Sequence, residues 1–326
     1  MDRDQLDYGR SLSDNWKAQM LANLVKMRYV DMPVFVDVGQ IVSGYSLETM
    51  VQAGIGLNNS FTGGNAQTLG ASGKYTDRPT ITYTPKTGTD YLRSLLEPVE
   101  PKSLLSLVQA GYSSELLFAW AIESINGVHN YSVTGKRSRY ADPEFTEFIK
   151  IFQELQDLGA VSFEIRTDPA AKRDMIVLFE AKGLDEATIR KRDRSREILD
   201  LNPEVDRFRV VYGPFAPQDD VLALQTRSIL QMLSALSGFI DIPPEKSSHA
   251  LGGFDLPPGT SRPFHVHSSP DQPKDSFTKI KYKGYWYWIE NDDLASKRVF
   301  TLMLFLTTLT NTGSDANAPV LTIPTS

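Results

Sequence analysis

The sequence predicts an α+β protein in which antiparallel sheet segments pack with amphipathic helices, the helical share being larger in the first half. Apolar residues recur at the three-and-four spacing of a buried helical stripe in several segments and alternate with polar residues in others. Lys283-Gly284 lies between two alternating runs, where a tight hairpin places its two-residue turn. Of the 326 residues, 41% are hydrophobic and 23% charged, a balance that supports a buried core and excludes disorder and multipass membrane insertion.

Ser13 is placed to cap a helix whose stripe is Trp16, Met20, Leu21, Leu24 and Val25, and Asp31-Met32-Pro33 ends it. Residues 34–38 are β-branched and aromatic enough for a strand. From Leu47 to Thr76, glycine, asparagine and serine accumulate, and the segment reads as either a hairpin of small residues or a loop. Residues 80–84 alternate as a strand that Pro85 stops. Three helices follow: one over 91–96, one through Leu104, Leu105, Leu107 and Val108 that stops at Gly111, and one over 114–125 that closes at Asn126-Gly127.

Asp142-Pro143, a cap with proline at the first helical position, opens the clearest amphipathic helix. Its stripe is Phe145, Phe148, Ile149, Phe152, Leu155 and Leu158, and Gly159 ends it. Val161, Phe163 and Ile165 then alternate, with residues 175–179 as an antiparallel partner. Beyond these come a charged helix over 185–199, a strand with Phe208, Val210 and Tyr212 on one face, and a core helix over 225–236. The Pro/Gly/Ser-rich segment 241–263 is longer than most connections inside a compact domain. Last come the hairpin 277–289 and a helix capped by Asp292 or Asp293. The chain divides either into regions 1–140 and 141–326 or not at all.

Cysteine is absent, which excludes disulfides, thiolate metal sites and thiol nucleophiles. A net charge of -6 offers no field for nucleic acid, so none is expected as a partner. The most apolar stretch, 299–309, is far short of the ~20 residues of a membrane-spanning helix. Nucleotide loops, nucleophile elbows and metalloprotease helices are missing as motifs, so no catalytic residue and no cofactor is assigned.

Four constellations remain. His265 and His267 would share one face of a strand, as two metal ligands require, with Asp271 or Asp275 as oxygen donor; the alternative is the start of an exposed strand. Five basic residues between Arg190 and Arg196 suit phosphate contacts, yet Glu186, Asp193 and Glu197 interleave with them as on a solvated helix face. Tyr285, Trp286, Tyr287 and Trp288 are candidates for partner binding, one face of their strand packing on the core and the other meeting the partner. Val51, Ala53, Ile55 and Leu57 alternate with polar or small residues, as do Leu69 and Ala71 on the return. That is the length of a transmembrane β-hairpin, and a barrel would close only if several chains each contributed one.

The strings MRYVDMPVF (27–35), PTITYTPKTG (79–88), Ile125-Asn126-Gly127 and DDLASKR (292–298) resemble those of a group of proteobacterial lipoprotein-like envelope proteins, over most of the chain. The resemblance brings no activity and no functional residues. It implies a periplasmic setting at the outer membrane, with a lipidated cysteine ahead of the mature sequence where Met1 now stands. The leading expectation is a non-enzymatic, lipid-anchored scaffold for other envelope proteins. The alternatives are an oligomeric secretion or pore component inserting the 47–76 hairpin, and a metal-dependent hydrolase using His265 and His267.

Overall fold

The structure is a computed structural model, which describes residues 2–56, 66–85, 89–134, 137–167, 173–179, 183–253, 262–309 and 321–324. Backbone alone is described for 2–8, 36–56, 66–85, 89–90, 133–134, 137–138, 165–167, 173–176, 178 and 321–324. The chain opens with α1 (Asp2–Arg28), followed by β1 (Val36–Gly56), β2 (Ala66–Pro85), α2 (Thr89–Leu96), α3 (Pro101–Gln109) and α4 (Ser114–Ala121). The middle holds β3 (Ile122–Ile125), β4 (Val128–His129), β5 (Ser132–Thr134), β6 (Arg137–Arg139), α5 (Pro143–Asp157), β7 (Val161–Thr167), β8 (Arg173–Phe179) and α6 (Glu186–Ile198). Then come β9 (Arg207–Tyr212), β10 (Val221–Thr226), α7 (Ile229–Ser237), a 3-10 turn (Pro244–His249), β11 (His267–Ser269), β12 (Thr278–Tyr282), β13 (Tyr285–Ile289), α8 (Leu294–Leu309) and β14 (Leu321–Pro324).

The class is α+β, and its largest sheet is mixed rather than wholly antiparallel. Six strands run in the order β4-β3-β10-β9-β8-β7, and β10 lies parallel to β9. Because this sheet takes strands from both sides of residue 140, the expected division at that point is not the one found. The two compact units are instead 1–33 with 87–313, and 34–86 with 314–326.

In the first unit α5 buries its predicted stripe from Phe145 to Leu155, while Leu158 is exposed. Phe152 meets Phe118, Phe148 and Phe179 at ring-centre distances of 5.2, 5.5 and 6.3 Å, and Phe208 continues the cluster from Phe179 at 5.7 Å. Asn126 and Gly127 both have positive φ, 45° and 85°, so they form a two-residue turn between β3 and β4. The Asn126 side chain joins the sheet as well, donating to Leu199 O at 2.9 Å and accepting from Ala223 N at 2.7 Å. Arg227, buried beneath this edge, donates to Glu123 at 2.8 Å and to the carbonyls of Trp120 and Tyr131.

Several local expectations need correction. Ser13 lies inside α1, since nothing there interrupts helical spacing. Residues 122–125 are a strand rather than the end of a helix, because Ile122 and Ile125 pair across to β10 and β4. β10 was hidden from the alternation criterion: of its six residues only Gln225 is not buried, so the run reads like the helix that follows. Asp142 makes no side-chain cap to α5; its carboxylate accepts from His129 N at 2.7 Å.

In the second unit β1 and β2 are antiparallel strands of 21 and 20 residues, paired without interruption from Ile41↔Ile81 to Gly56↔Ala66. The pieces expected at 34–38, 47–76 and 80–84 thus merge, from Val36 to Gly56 and from Ala66 to Pro85, into one antiparallel strand pair, broken in register only between Val38 and Ile41, with 57–65 outside the described residues. β14 adds four residues alongside Thr80–Tyr83 of β2.

Candidate functional site

Three features of the described residues bear chemistry, and each is built by a different local rule. The first is the hairpin. Its register sets Leu47 opposite Tyr75, Val51 opposite Ala71, Ala53 opposite Leu69 and Ile55 opposite Gln67. Side chains alternate faces along a strand, so Leu47, Thr49, Val51, Ala53 and Ile55 share a face with Tyr75, Gly73, Ala71, Leu69 and Gln67. No charged residue falls on that face across this span. The opposite face carries Glu48 paired with Lys74, then Met50, Gln52, Gly54, Ser72, Gly70 and Thr68. All the candidate hairpin residues described, namely Val51, Ala53, Ile55, Leu69 and Ala71, therefore lie on one face, while Leu57 falls outside the described residues.

The second is the aromatic sheet β11-β13-β12, turned at Lys283 (φ 46°) and Gly284 (φ 92°). Tyr287 is fully buried, with its hydroxyl 2.6 Å from that of Tyr29, in the turn that follows α1; burial pushes its pKa up, and the hydrogen bond to Tyr29 adds to the shift. It is a packing residue and offers nothing to a partner. Tyr285 donates to Glu245, and Tyr282 donates to Asp31. On the other face Trp286 and Trp288 are half-exposed, Trp286 under the Lys281 ammonium and Trp288 donating to Glu290 at 2.8 Å. The partner-binding set thus contracts to this face.

The third is a cluster of two imidazoles and a carboxylate. His267 starts β11, paired with Trp288, and its ring stacks on that indole at 5.3 Å. His265 lies two residues earlier, so the rings share a side, with centres 3.9 Å apart. The oxygen donor beside them is Asp241, just after α7. Asp271 and Asp275, the expected donors, are not in the cluster: the backbone N–H of Asp271 bonds Ser269, and the Asp275 carboxylate accepts from Asn291. Asp241 arrives because its N–H donates to Val266 O at 2.9 Å, in a parallel bridge between Ile240 and Val266. Sequence reading lacked it because the bridge joins positions 24 residues or more apart across the 241–263 segment.

The carboxylate is held at both oxygens, by Arg262 at 2.9 Å and by His265 Nε2 at 2.7 Å. Partial burial alone would raise the Asp241 pKa, but the hydrogen bonds from His265 and Arg262 outweigh it and keep it below the ordinary carboxylate value. Burial, with the adjacent His265, lowers the pKa of His267 and favours the neutral, electron-donating ring.

No family model, curated protein or solved structure matches this chain.

Two further features resolve without a site. Every base of the 190–196 run has a carboxylate partner: Arg190 with Glu186, Lys191 with Glu154, Arg192 with Asp193, Arg194 with Glu147 and Glu197, and Arg196 with Asp206. That helix face is neutralised by its neighbours. Among the described residues no helix is long and apolar enough to cross a membrane.

Proposed function

We propose that this protein is an oligomeric component of the cell envelope, in which β1–β2 from several copies closes a shared β-barrel. The observation that carries the reading is the phase of the hairpin: both strands put their uncharged face on the same side over Leu47–Ile55 and Gln67–Tyr75. Nine residues per strand approach the nine to eleven, roughly, that a tilted strand needs to cross the hydrocarbon layer. Tyr45 and Tyr75 lie near one end of that span, where barrel strands carry aromatic girdles. The outer edge of β1, and that of β2 from Ala66 to Pro79, have no partner strand among the described residues. Lone edges of this length are templates for another strand, and a second copy of the hairpin supplies one. The family resemblance supports a periplasmic, lipid-anchored setting for the assembly.

Light scattering of the chain with and without liposomes, together with dye release from those liposomes, tests the proposal. A lipid-dependent oligomer that releases dye is the expected result. Val51→Arg places a charge on the uncharged face, at a cost of about 2–4 kcal/mol per strand near mid-bilayer, and should abolish insertion. Gln52→Arg, one residue on and facing the lumen, should preserve insertion and shift ion selectivity. A monomer indifferent to lipid, or equal effects of the two substitutions, would overturn it. The second reading, a non-enzymatic scaffold for other envelope proteins, is favoured by the half-exposed Trp286 and Trp288 and predicts partner capture that is sensitive to those residues alone.

A further inference from the structure

We propose that Asp241, His265 and His267 form a binding site for a divalent transition-metal ion of the zinc type. One ligand atom from each residue can be chosen so that all three lie within 4.8 Å of one another. Tetrahedral zinc, with bonds of about 2.0 Å, sets its ligands roughly 3.3 Å apart, so small rotations of the partly exposed rings are enough to converge the three donors. Two imidazoles and a carboxylate are donors of the hardness this class of ion selects. With three protein ligands, a fourth position stays open to water, and the partial exposure of all three side chains lets water reach it.

Two further observations point to a ligand rather than to packing alone. His267 has no hydrogen-bond partner for its ring nitrogens among the described residues, although burial lies on one side of it and His265 on the other. The supporting groups are in place before any ion arrives. Arg262 occupies Asp241 Oδ1 and leaves Oδ2 directed at His265 Nε2. Ser296 Oγ accepts from the backbone N–H of His265 and itself donates to Asp293, and Trp288 backs the His267 ring. Such outer contacts fix ring orientation around metals. Binding replaces the hydrogen bond between Asp241 and His265: the ion takes the lone pair of Nε2, and the ring proton moves to Nδ1 or to solvent.

The test is calorimetric titration of the untagged, chelator-treated full chain with zinc, with cobalt as a spectroscopic substitute. One ion per chain is expected, with visible cobalt bands of a nitrogen–oxygen site and a rise in Tm that grows with zinc concentration. His267→Ala and Asp241→Asn should each weaken binding by a hundredfold or more, whereas His129→Ala and Asp271→Asn leave it unchanged. Circular dichroism separates a lost site from a lost fold. If His267→Ala does not fold, Asp241→Asn, at an exposed carboxylate, decides the matter. Absence of binding up to millimolar zinc, or binding indifferent to Asp241 and His267, would overturn the proposal. Neither outcome depends on whether the hairpin assembles.

Discussion

Asp31 joins the end of α1 to the aromatic sheet, accepting from Tyr282 and pairing with Lys283 at 2.8 Å. The hydrogen bonds from Lys283 and Tyr282 hold its pKa below the ordinary carboxylate value. A carboxylate depressed in the folded state contributes stability that is complete above its unfolded pKa, about 3.9, and is lost as pH falls through the folded value. For Tyr282 the sign reverses. Burial, with Asp31 beside it, raises the phenol from 10.0 to about 12, so its contribution is complete below about 10 and lost as pH rises through 12. Asp31→Asn should therefore flatten both limbs of a Tm-against-pH profile, most visibly below pH ~4. An unchanged acid limb would show that the contact carries no stability. Arg227 is tolerated out of solvent because Glu123 and the carbonyls of Trp120 and Tyr131 accept its N–H hydrogen bonds.

At the scale of elements, α6 illustrates how a strongly charged segment holds as a helix. Its mean hydropathy is too low for a wide buried stripe, and only Thr188, Ser195 and Arg196 are buried. Its start is fixed by Asp185, which accepts from Thr188 N at 2.8 Å, and its length is supported by ion pairs to α5 through Arg194–Glu147 and Lys191–Glu154. Asp185→Ala should lower the midpoint of urea unfolding, as the loss of an N-cap does, with an unchanged m-value. The contrast with α5 is instructive. Asp142 looks the better cap in sequence, but its carboxylate is taken by His129 N, so Asp142→Ala acts on the β4 edge instead.

At the scale of the molecule, the chain divides into two compact units, and the proposed assembly rests on the one that holds β1 and β2. Among the residues whose burial is described, every buried one except Phe35 belongs to the unit 1–33 with 87–313. Shortening the hairpin by removing residues 48–74, so that Leu47 connects through a two-residue turn to its register partner Tyr75, should leave the thermal transition of that unit in place. The same deletion should abolish any lipid-dependent oligomer seen by light scattering. Loss of the transition itself would mean that the units fold as one.

The sequence alone determined what depends on nearest neighbours: the α5 stripe from Phe145 to Leu155, the β7–β8 and β12–β13 strand pairs and the Gly111 and Gly159 stops; it left the cap of α8 between Asp292 and Asp293, and the structure selects Asp293, whose carboxylate accepts from Ser296 N at 2.9 Å. It also determined His265 and His267 as a pair, since a period of two is local. Only the tertiary structure decided which carboxylate joins them, because Asp241 reaches His265 through a bridge between distant segments. It alone decided that β10 is a strand, since a strand covered on both faces loses its alternation. The same holds for the hairpin: each strand reads as amphipathic by itself, but whether the two uncharged faces coincide is fixed by register, and a slip of one residue would have set them on opposite sides.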